Sequence, residues 1–186
     1  MTPRLLTPPA ELPVSLQEAK DALGIDGGAL DVSVTAWILG VAEFVEQYTR
    51  RALITQSWRL TGDAFPDVIR LPNSPAVSVE SIKFIDAGGA LQVLAPTDYL
   101  VDIESEPGRI VPGRGLAWPV TYDEINAVTV NYTCGYGSTA ESVPAQIKLF
   151  ILAKLREQYD PAVRMERDTV QSSFIDRLLD RAKVYG

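Results

Sequence analysis

The 186-residue chain contains no histidine. This absence excludes Ser-His-Asp and Cys-His catalysis, and it excludes zinc sites that use imidazole ligands. The only cysteine is Cys134, so the chain can form neither an internal disulfide nor a metal site built from several thiolates. Without a histidine base to activate it, Cys134 is best interpreted as a small buried packing residue.

Positive charge is also scarce, with 17 basic residues against 24 acidic ones and a formal net charge of -7. Broad binding to nucleic acid or to an anionic membrane needs a positive field, so both are disfavoured. No run of 18 apolar residues suggests a membrane-spanning helix, and the start of the chain lacks the apolar core of a signal peptide. We therefore expect a protein made in the cytoplasm, without a membrane partner.

Apolar residues make up 46% of the chain and charged residues 22%, as in ordinary globular domains. Residues 1–14 are rich in proline and predict an extended arm. Ser15 and Glu18 have the spacing of a capping box, which predicts a short helix after Ser15. A helix over residues 31–50 follows, because apolar residues recur there every three or four positions: Val34, Trp37, Ile38, Val41, Phe44, Val45 and Tyr48. We expect this stripe, including Trp37, Val41, Phe44 and Tyr48, to face the core.

Between residues 54 and 134 the pattern changes to short segments rich in β-branched and aromatic residues. A break in the alternation between Val79 and Ile82 predicts a bulge, and the stretch at 86–89 predicts a hairpin turn. The expected strands are Ile54–Gly62, Val68–Leu71, Val77–Asp86, Leu91–Leu94, Tyr99–Ile103, Arg109–Val111 and Ala127–Cys134.

Helical patterns return after Pro144 and continue to Asp160, and a last amphipathic helix is expected near residues 173–184. That final helix either packs on its own domain or docks in a groove of a partner. The order of elements predicts an α+β fold, in which a small bundle of two N-terminal and one or two C-terminal helices carries an inserted, mainly antiparallel sheet. We expect an arm at 1–14, one domain at 15–160 with its β insertion near 54–134, and a flexible linker with a docking helix at 161–186.

The most enzyme-like feature is acidic: four carboxylates crowd nine residues, at Asp98, Asp102, Glu104 and Glu106. Grouped carboxylates can perform acid–base chemistry or bind divalent cations. At a spacing of two, however, three of them share one face of a strand, which favours a solvated acidic surface. A metal-dependent hydrolase using this cluster is the alternative from the enzyme class.

Several strings carry a family resemblance: SLQEAKDALGI (15–25), VAEFVEQYTRRALITQSWRL (41–60), IRLPNSPAVSVESIKFID (69–86), DYLVD (98–102), Trp118-Pro119, VTVNYTCGYG (128–137) and VPAQIKLFILAKL (143–155). In combination they resemble the head–tail connector proteins, also called adaptor or head-completion proteins, of long-tailed bacteriophages and related gene-transfer particles. The resemblance is to the subgroup with a β insertion, and it covers about residues 15–160.

The resemblance implies a structural virion protein at the head–tail junction, made in the bacterial host cytoplasm. It implies a ring, usually of twelve subunits, that sits beneath the portal protein, extends the DNA channel and receives a stopper or tail-completion protein. DNA would pass through without specific binding, and the resemblance implies neither catalytic residues nor a cofactor. Another neck or tail-completion ring protein is the alternative within this class. We further hypothesise that four residues of the last helix dock on the portal: Phe174, Arg177, Leu178 and Arg181.

Overall fold

The computed structural model describes residues 1–160, 175 and 177–185. Across these residues it contains three α-helices and two antiparallel sheets, so the predicted α+β class is confirmed. The chain forms two compact units. The sheet unit comprises residues 1–8 and 55–135 with Tyr185, and the helical unit comprises Pro9–Ile54 and the described part of Tyr136–Val184. None of the described helices is long and apolar enough to cross a membrane.

The helical unit is built from α1 (Leu16–Leu23), α2 (Asp31–Thr49) and α3 (Ala145–Tyr159). The predicted capping box is confirmed, because the Ser15 hydroxyl accepts from the Glu18 amide while the Glu18 carboxylate accepts from the Ser15 amide. Gly24 ends α1 in the left-handed conformation that glycine adopts at little cost. All three helices contribute to one apolar core.

That core is centred on fully buried aliphatic side chains of α2 and α3. Val34, Ile38 and Val45 lie on one side of α2, at spacings that place them on a single helical face. Other fully buried members of the core with a large side chain include Leu53, Ile54, Ile147, Ile151 and Leu155. Burial of these side chains holds the helices together, since each contributes roughly 1.5–3 kcal/mol relative to exposure.

The sheet unit contains a five-stranded sheet with the strand order β1-β2-β8-β4-β5. Its strands are β1 (Thr2–Thr7), β2 (Gln56–Gly62), β4 (Ala76–Ile85), β5 (Leu91–Val93) and β8 (Val128–Cys134). Neighbouring strands are antiparallel throughout. Strand β8 lies at the centre and alternates between buried and half-buried positions, which is the pattern of a strand with one face on a core.

A second, three-stranded sheet has the order β3-β7-β6. It is formed by β3 (Ile69–Leu71), β6 (Tyr99–Asp102) and β7 (Gly108–Pro112). The sequence predicted one inserted sheet, and the structure divides those strands between two. Ile69 lies opposite Ile110 in this second sheet and both are fully buried, so this sheet has its own apolar side.

Two local features of β4 follow the sequence pattern. The predicted bulge is confirmed by a register shift against β8 between Val79 and Ser81, and a further shift separates Ala76 from Ser78. The predicted turn at 86–89 is also confirmed, because it joins β4 to β5 and contains Gly89 at φ +83°. The Asp86 carboxylate accepts from the Gly88 and Ala90 amides and so fixes this turn.

Residues 2–7 form a strand that pairs with β2, although the sequence predicted an arm for this region. All six residues of β1 are exposed, and β1 is an edge of the five-stranded sheet. Pro3 is compatible with this position because an edge strand has one side without ladder hydrogen bonds. Pairing with β2 therefore orders the residues that the proline content marked only as extended.

Candidate interaction surfaces

The four residues of α2 that the sequence assigned to the core divide into two pairs. Trp37 and Val41 are half-buried and pack against the helical core. Phe44 and Tyr48 lie outward, with 53% and 38% of their surface exposed. The structure therefore corrects the expectation for Phe44 and Tyr48: the buried line of α2 is Val34, Ile38, Ala42, Val45 and Thr49.

The outward aromatic residues form contacts along the boundary between α2 and α3. The Phe44 ring stacks with the Tyr48 ring at a centroid distance of 6.0 Å and with the Phe150 ring at 6.4 Å. Further along the same boundary, the Trp37 ring lies 6.3 Å from the Tyr159 ring. These contacts form a partly exposed aromatic surface along one side of the boundary between the two helices.

A groove of about 500 Å³ opens on this surface. Its walls include the side chains of Trp37, Val41 and Phe44 from α2. From α3, Lys154 and Glu157 line the groove, and their Nζ and Oε2 atoms pair at 3.2 Å. Because the two charges compensate each other, the groove offers apolar contact area without a net charge from this pair.

Another part of α2 is also exposed and apolar. Val32 is 85% exposed and Leu39 is 51% exposed, and both lie away from the buried line of the helix. On α3 the corresponding exposed position is Leu149, which is 44% exposed. Exposed leucines and valines on the two helices mark surfaces that could bury area against another protein.

The hypothetical portal-docking residues lie near the C-terminus. Phe174 lies outside the described residues. Leu178 is half-buried and packs against the helical core, whereas Arg177 and Arg181 are exposed. Of the two interpretations left open by the sequence, packing on its own domain is what the described apolar residues Leu178, Leu179 and Ala182 show.

Polar contacts fix this C-terminal segment to the end of α2. The Val184 amide donates to the Thr49 carbonyl at 2.9 Å, and the Arg51 Nε donates to the Ala182 carbonyl at 2.5 Å. The Lys183 ammonium lies 4.5 Å from the centroid of the Tyr48 ring. No local sequence pattern predicts these contacts, because they join residues more than 130 positions apart.

The acidic cluster is a turn held by its own hydrogen bonds. The Asp102 carboxylate accepts from the Ser105 hydroxyl at 2.7 Å, from the Ser105 amide at 3.0 Å and from the Arg109 Nε at 2.8 Å. These donors lower the pKa of Asp102 to about 2, with the Ser105 hydroxyl contributing most. The Asp98 carboxylate accepts from the Thr97 hydroxyl at 3.1 Å, and Glu104 and Glu106 are exposed. Within the described parts of the chain, no three acidic, cysteine or histidine side chains are placed to hold a metal ion.

Cys134 lies at the end of β8 and is fully buried, which agrees with the prediction that it is a packing residue. Nearby on the same strand, the Tyr132 hydroxyl donates to the Pro72 carbonyl at 2.6 Å. Burial raises the pKa of Tyr132 far above its ordinary value. Tyr132 is therefore neutral, and its hydrogen bond anchors the loop that precedes β4.

No protein-family model and no curated protein matches this sequence. Solved structures, however, share its fold over the whole chain. One is the neck of an empty gene transfer agent particle computed with C6 symmetry, with a TM-score of 0.80 and 17% identity. Another is the virion of the native gene transfer agent particle, at 0.77 and 18%, and a third is the neck of the native particle computed with C12 symmetry, at 0.74 and 18%. Each alignment covers 100% of this chain and 97% of the other chain, which establishes a common fold.

Proposed function

We propose that this protein is a structural subunit of a neck ring that joins the DNA-filled head of a phage-like particle to its tail. The observation that carries the proposal is the shared fold along the full chain with structures of gene transfer agent necks. Those necks have six-fold and twelve-fold symmetry in the solved structures, which supports a ring, with twelve copies as the expected number. The ring would bind the portal on one side and a stopper or tail-completion protein on the other.

The charge of the chain suits such a ring. With a formal net charge of -7, the chain lacks the overall positive field that would attract the phosphates of DNA. DNA held by counterion release would have to leave positive contacts one after another during ejection, which would slow its passage. We infer that DNA moves through the ring without being bound at a specific site.

We further propose that the C-terminal segment docks on the portal through its exposed cationic side chains. Because Leu178 packs against its own core, Arg177 and Arg181 are the described members of the predicted set that remain available to a partner. Two exposed guanidinium groups fit a carboxylate-bearing surface, since arginine binds carboxylates with two parallel hydrogen bonds. The portal surface that they contact would accordingly be acidic, and Phe174 stays part of the hypothesis.

Deletion of the gene from its source element tests the function. Electron microscopy of the resulting lysate should show DNA-filled or emptied heads without tails next to free tails, and expression of the intact chain from a plasmid should restore tailed particles. Tailed, active particles in the deletion strain would overturn the proposal. Particles that have tails attached to their heads but are defective at a different junction would instead favour the alternative, which is another neck or tail-completion subunit.

Charge reversal tests the docking residues. The double variant Arg177→Glu and Arg181→Glu should reduce co-purification with portal complexes, because it places carboxylates against an acidic surface. Arg114→Glu, which reverses an exposed arginine of the sheet unit, serves as the matched control and should bind as the unmodified chain does. Equal portal binding by the double variant and the control would refute the docking assignment without affecting the neck function.

A further inference from the structure

One face of α2 is exposed and consists of three apolar residues and one glutamate. It comprises Val32, Ala36, Leu39 and Glu43, which recur every three or four residues and so lie along one side of the helix. We call this the outer face of α2. Phe44, which stacks with Phe150 of α3, lies on another side of α2, whereas Ala36 also borders the groove between α2 and α3.

The outer face of α2 also borders a hollow of about 170 Å³. Leu39 and Glu43 form one wall of this hollow, and Pro9, Glu11 and Pro13 contribute to the rest. Two exposed carboxylates, those of Glu11 and Glu43, therefore stand beside an apolar depression. A complementary surface would present an apolar side chain with a cation next to it.

The exposed side of α3 has this composition. Ala145, Leu149 and Arg156 are all exposed and, at spacings of four and seven, lie on one side of the helix. We call this the outer face of α3. The buried residues Ile147 and Ile151 lie on the opposite side of α3, which packs into the helical core.

The two outer faces are thus different surfaces of one subunit. A ring of identical subunits needs a head-to-tail contact, in which one patch of each copy meets a different patch of the next. Two unlike faces on one subunit meet this requirement, because every copy then offers both halves of the contact.

We propose that the outer face of α2 in one subunit packs on the outer face of α3 in the next subunit, with Leu149 beside Leu39 and Arg156 beside Glu43. The partner is thus a second copy of this chain, and the inference rests on the proposed ring. Charge complementarity favours a second copy as the partner, because the charged member of the outer face of α2 is the carboxylate Glu43 and that of the outer face of α3 is the guanidinium Arg156. The leucines supply the buried apolar area.

Cysteine pairs in assembled particles test the contact. Particles carrying Leu39→Cys and Leu149→Cys in the same chain should, with a short bismaleimide, give a ladder of covalent multimers that extends beyond the dimer. Each single variant should give only monomer, because a head-to-tail contact places positions 39 and 149 together and never two copies of one position. The unmodified chain controls for Cys134, which is buried, and the pair Leu39→Cys with Val120→Cys controls for general exposure.

The outcomes separate this inference from the proposed function. A dimer from Leu39→Cys alone would show a two-fold α2–α2 contact and overturn the inference. Absence of cross-links, with the protein still present in particle necks, would also overturn it and leave the neck function standing. Absence of the unmodified protein from purified particles would instead overturn the proposed function itself.

A charge exchange supplies a second, independent readout. Glu43→Arg and Arg156→Glu should each lower incorporation into particles by about twofold to fivefold, because either substitution places two like charges at the proposed contact. The chain that carries both substitutions should regain incorporation close to that of the unmodified protein. If the double variant is impaired as much as the two single variants combined, the two residues are not partners.

Discussion

Lys148 on α3 pairs with Glu18 on α1, with 2.9 Å between Nζ and Oε1, although 130 positions separate the two residues. The other oxygen of Glu18 accepts from the Ser15 amide at 2.9 Å and so completes the capping box of α1. One carboxylate thus begins a helix and also attaches that helix to another. The pKa of Glu18 is lowered, chiefly by the bond from Lys148 and next by the bond from the Ser15 amide.

The replacement Glu18→Gln should destabilise the protein in a pH-dependent way. A lowered pKa in the folded state means that the carboxylate contributes stability above its ordinary pKa of 4.5 and loses that contribution as pH falls below it. Gln keeps the acceptor of the capping box but loses the charge that binds Lys148, so urea unfolding should show a loss of about 0.5 kcal/mol at pH 7 and a smaller loss near pH 3. Glu11→Gln is the control, and an equal loss at both pH values would contradict the assignment.

The replacement Asp102→Asn should weaken the turn between β6 and β7. Its carboxylate holds the Ser105 amide, the Ser105 hydroxyl and Arg109, and its pKa is lowered to about 2. Stability from this group is complete above its ordinary value of 3.8 and is lost as pH falls through about 2. Thermal unfolding should show the variant to be less stable at pH 6, with the difference disappearing toward pH 2. Glu104→Gln, at an exposed neighbour, should show no such effect.

Two substitutions on α2 separate its buried line from its exposed aromatics. Ile38→Ala removes a fully buried side chain and should cost about 2–5 kcal/mol, because it leaves a cavity in the core. Phe44→Ala should cost less than half as much, since 53% of the Phe44 surface is already in water. Denaturant midpoints of both variants provide the comparison. A greater loss of stability for Phe44→Ala than for Ile38→Ala would show that Phe44 is part of the core.

Gly108 at the start of β7 should not tolerate a larger residue. A Cβ there would lie 2.9 Å from the Ala76 Cβ and 3.4 Å from the Asp102 carbonyl oxygen. Gly108→Ala should therefore destabilise the protein by about 1–3 kcal/mol through overpacking. Gly40→Ala is the matched control, because nothing lies within 4 Å of a Cβ at that position. Calorimetric melting temperatures distinguish the two, and equal values would contradict the crowding at Gly108.

Features that depend on neighbours in the chain were the ones the sequence predicted well. The Ser15–Glu18 capping box, the extent of α2 and the turn at 86–89 each depend on residues within a few positions of one another. The bulge in β4 was visible because a side-chain alternation of period two cannot absorb an extra residue without a break. Local backbone preferences and hydrogen bonds determine these features.

The side of α2 that faces the core was not determined in this way. Its apolar residues cover a wide sector of the helix, so their spacing alone is compatible with several orientations. Packing against α3 places Ile38 inside and leaves Phe44 and Tyr48 at the boundary. The same limitation applies to the C-terminal segment, whose apolar side was compatible with either its own core or a partner.

The sequence by itself determined the class of fold, the extents of α1, α2, α3 and most strands, and the absence of histidine chemistry, because these follow from residue identity and short-range spacing. The helix expected near residues 173–184 was not predicted correctly at its end, where residues 180–182 form a short 3-10 helix and residues 183–185 are not helical. Only the tertiary structure decided the pairing of β1 with β2, the division of the strands into two sheets and the exposed faces of α2 and α3. Those features depend on contacts between residues far apart in the chain. Such contacts form when apolar surfaces compete for burial, and local patterns do not encode the result of that competition.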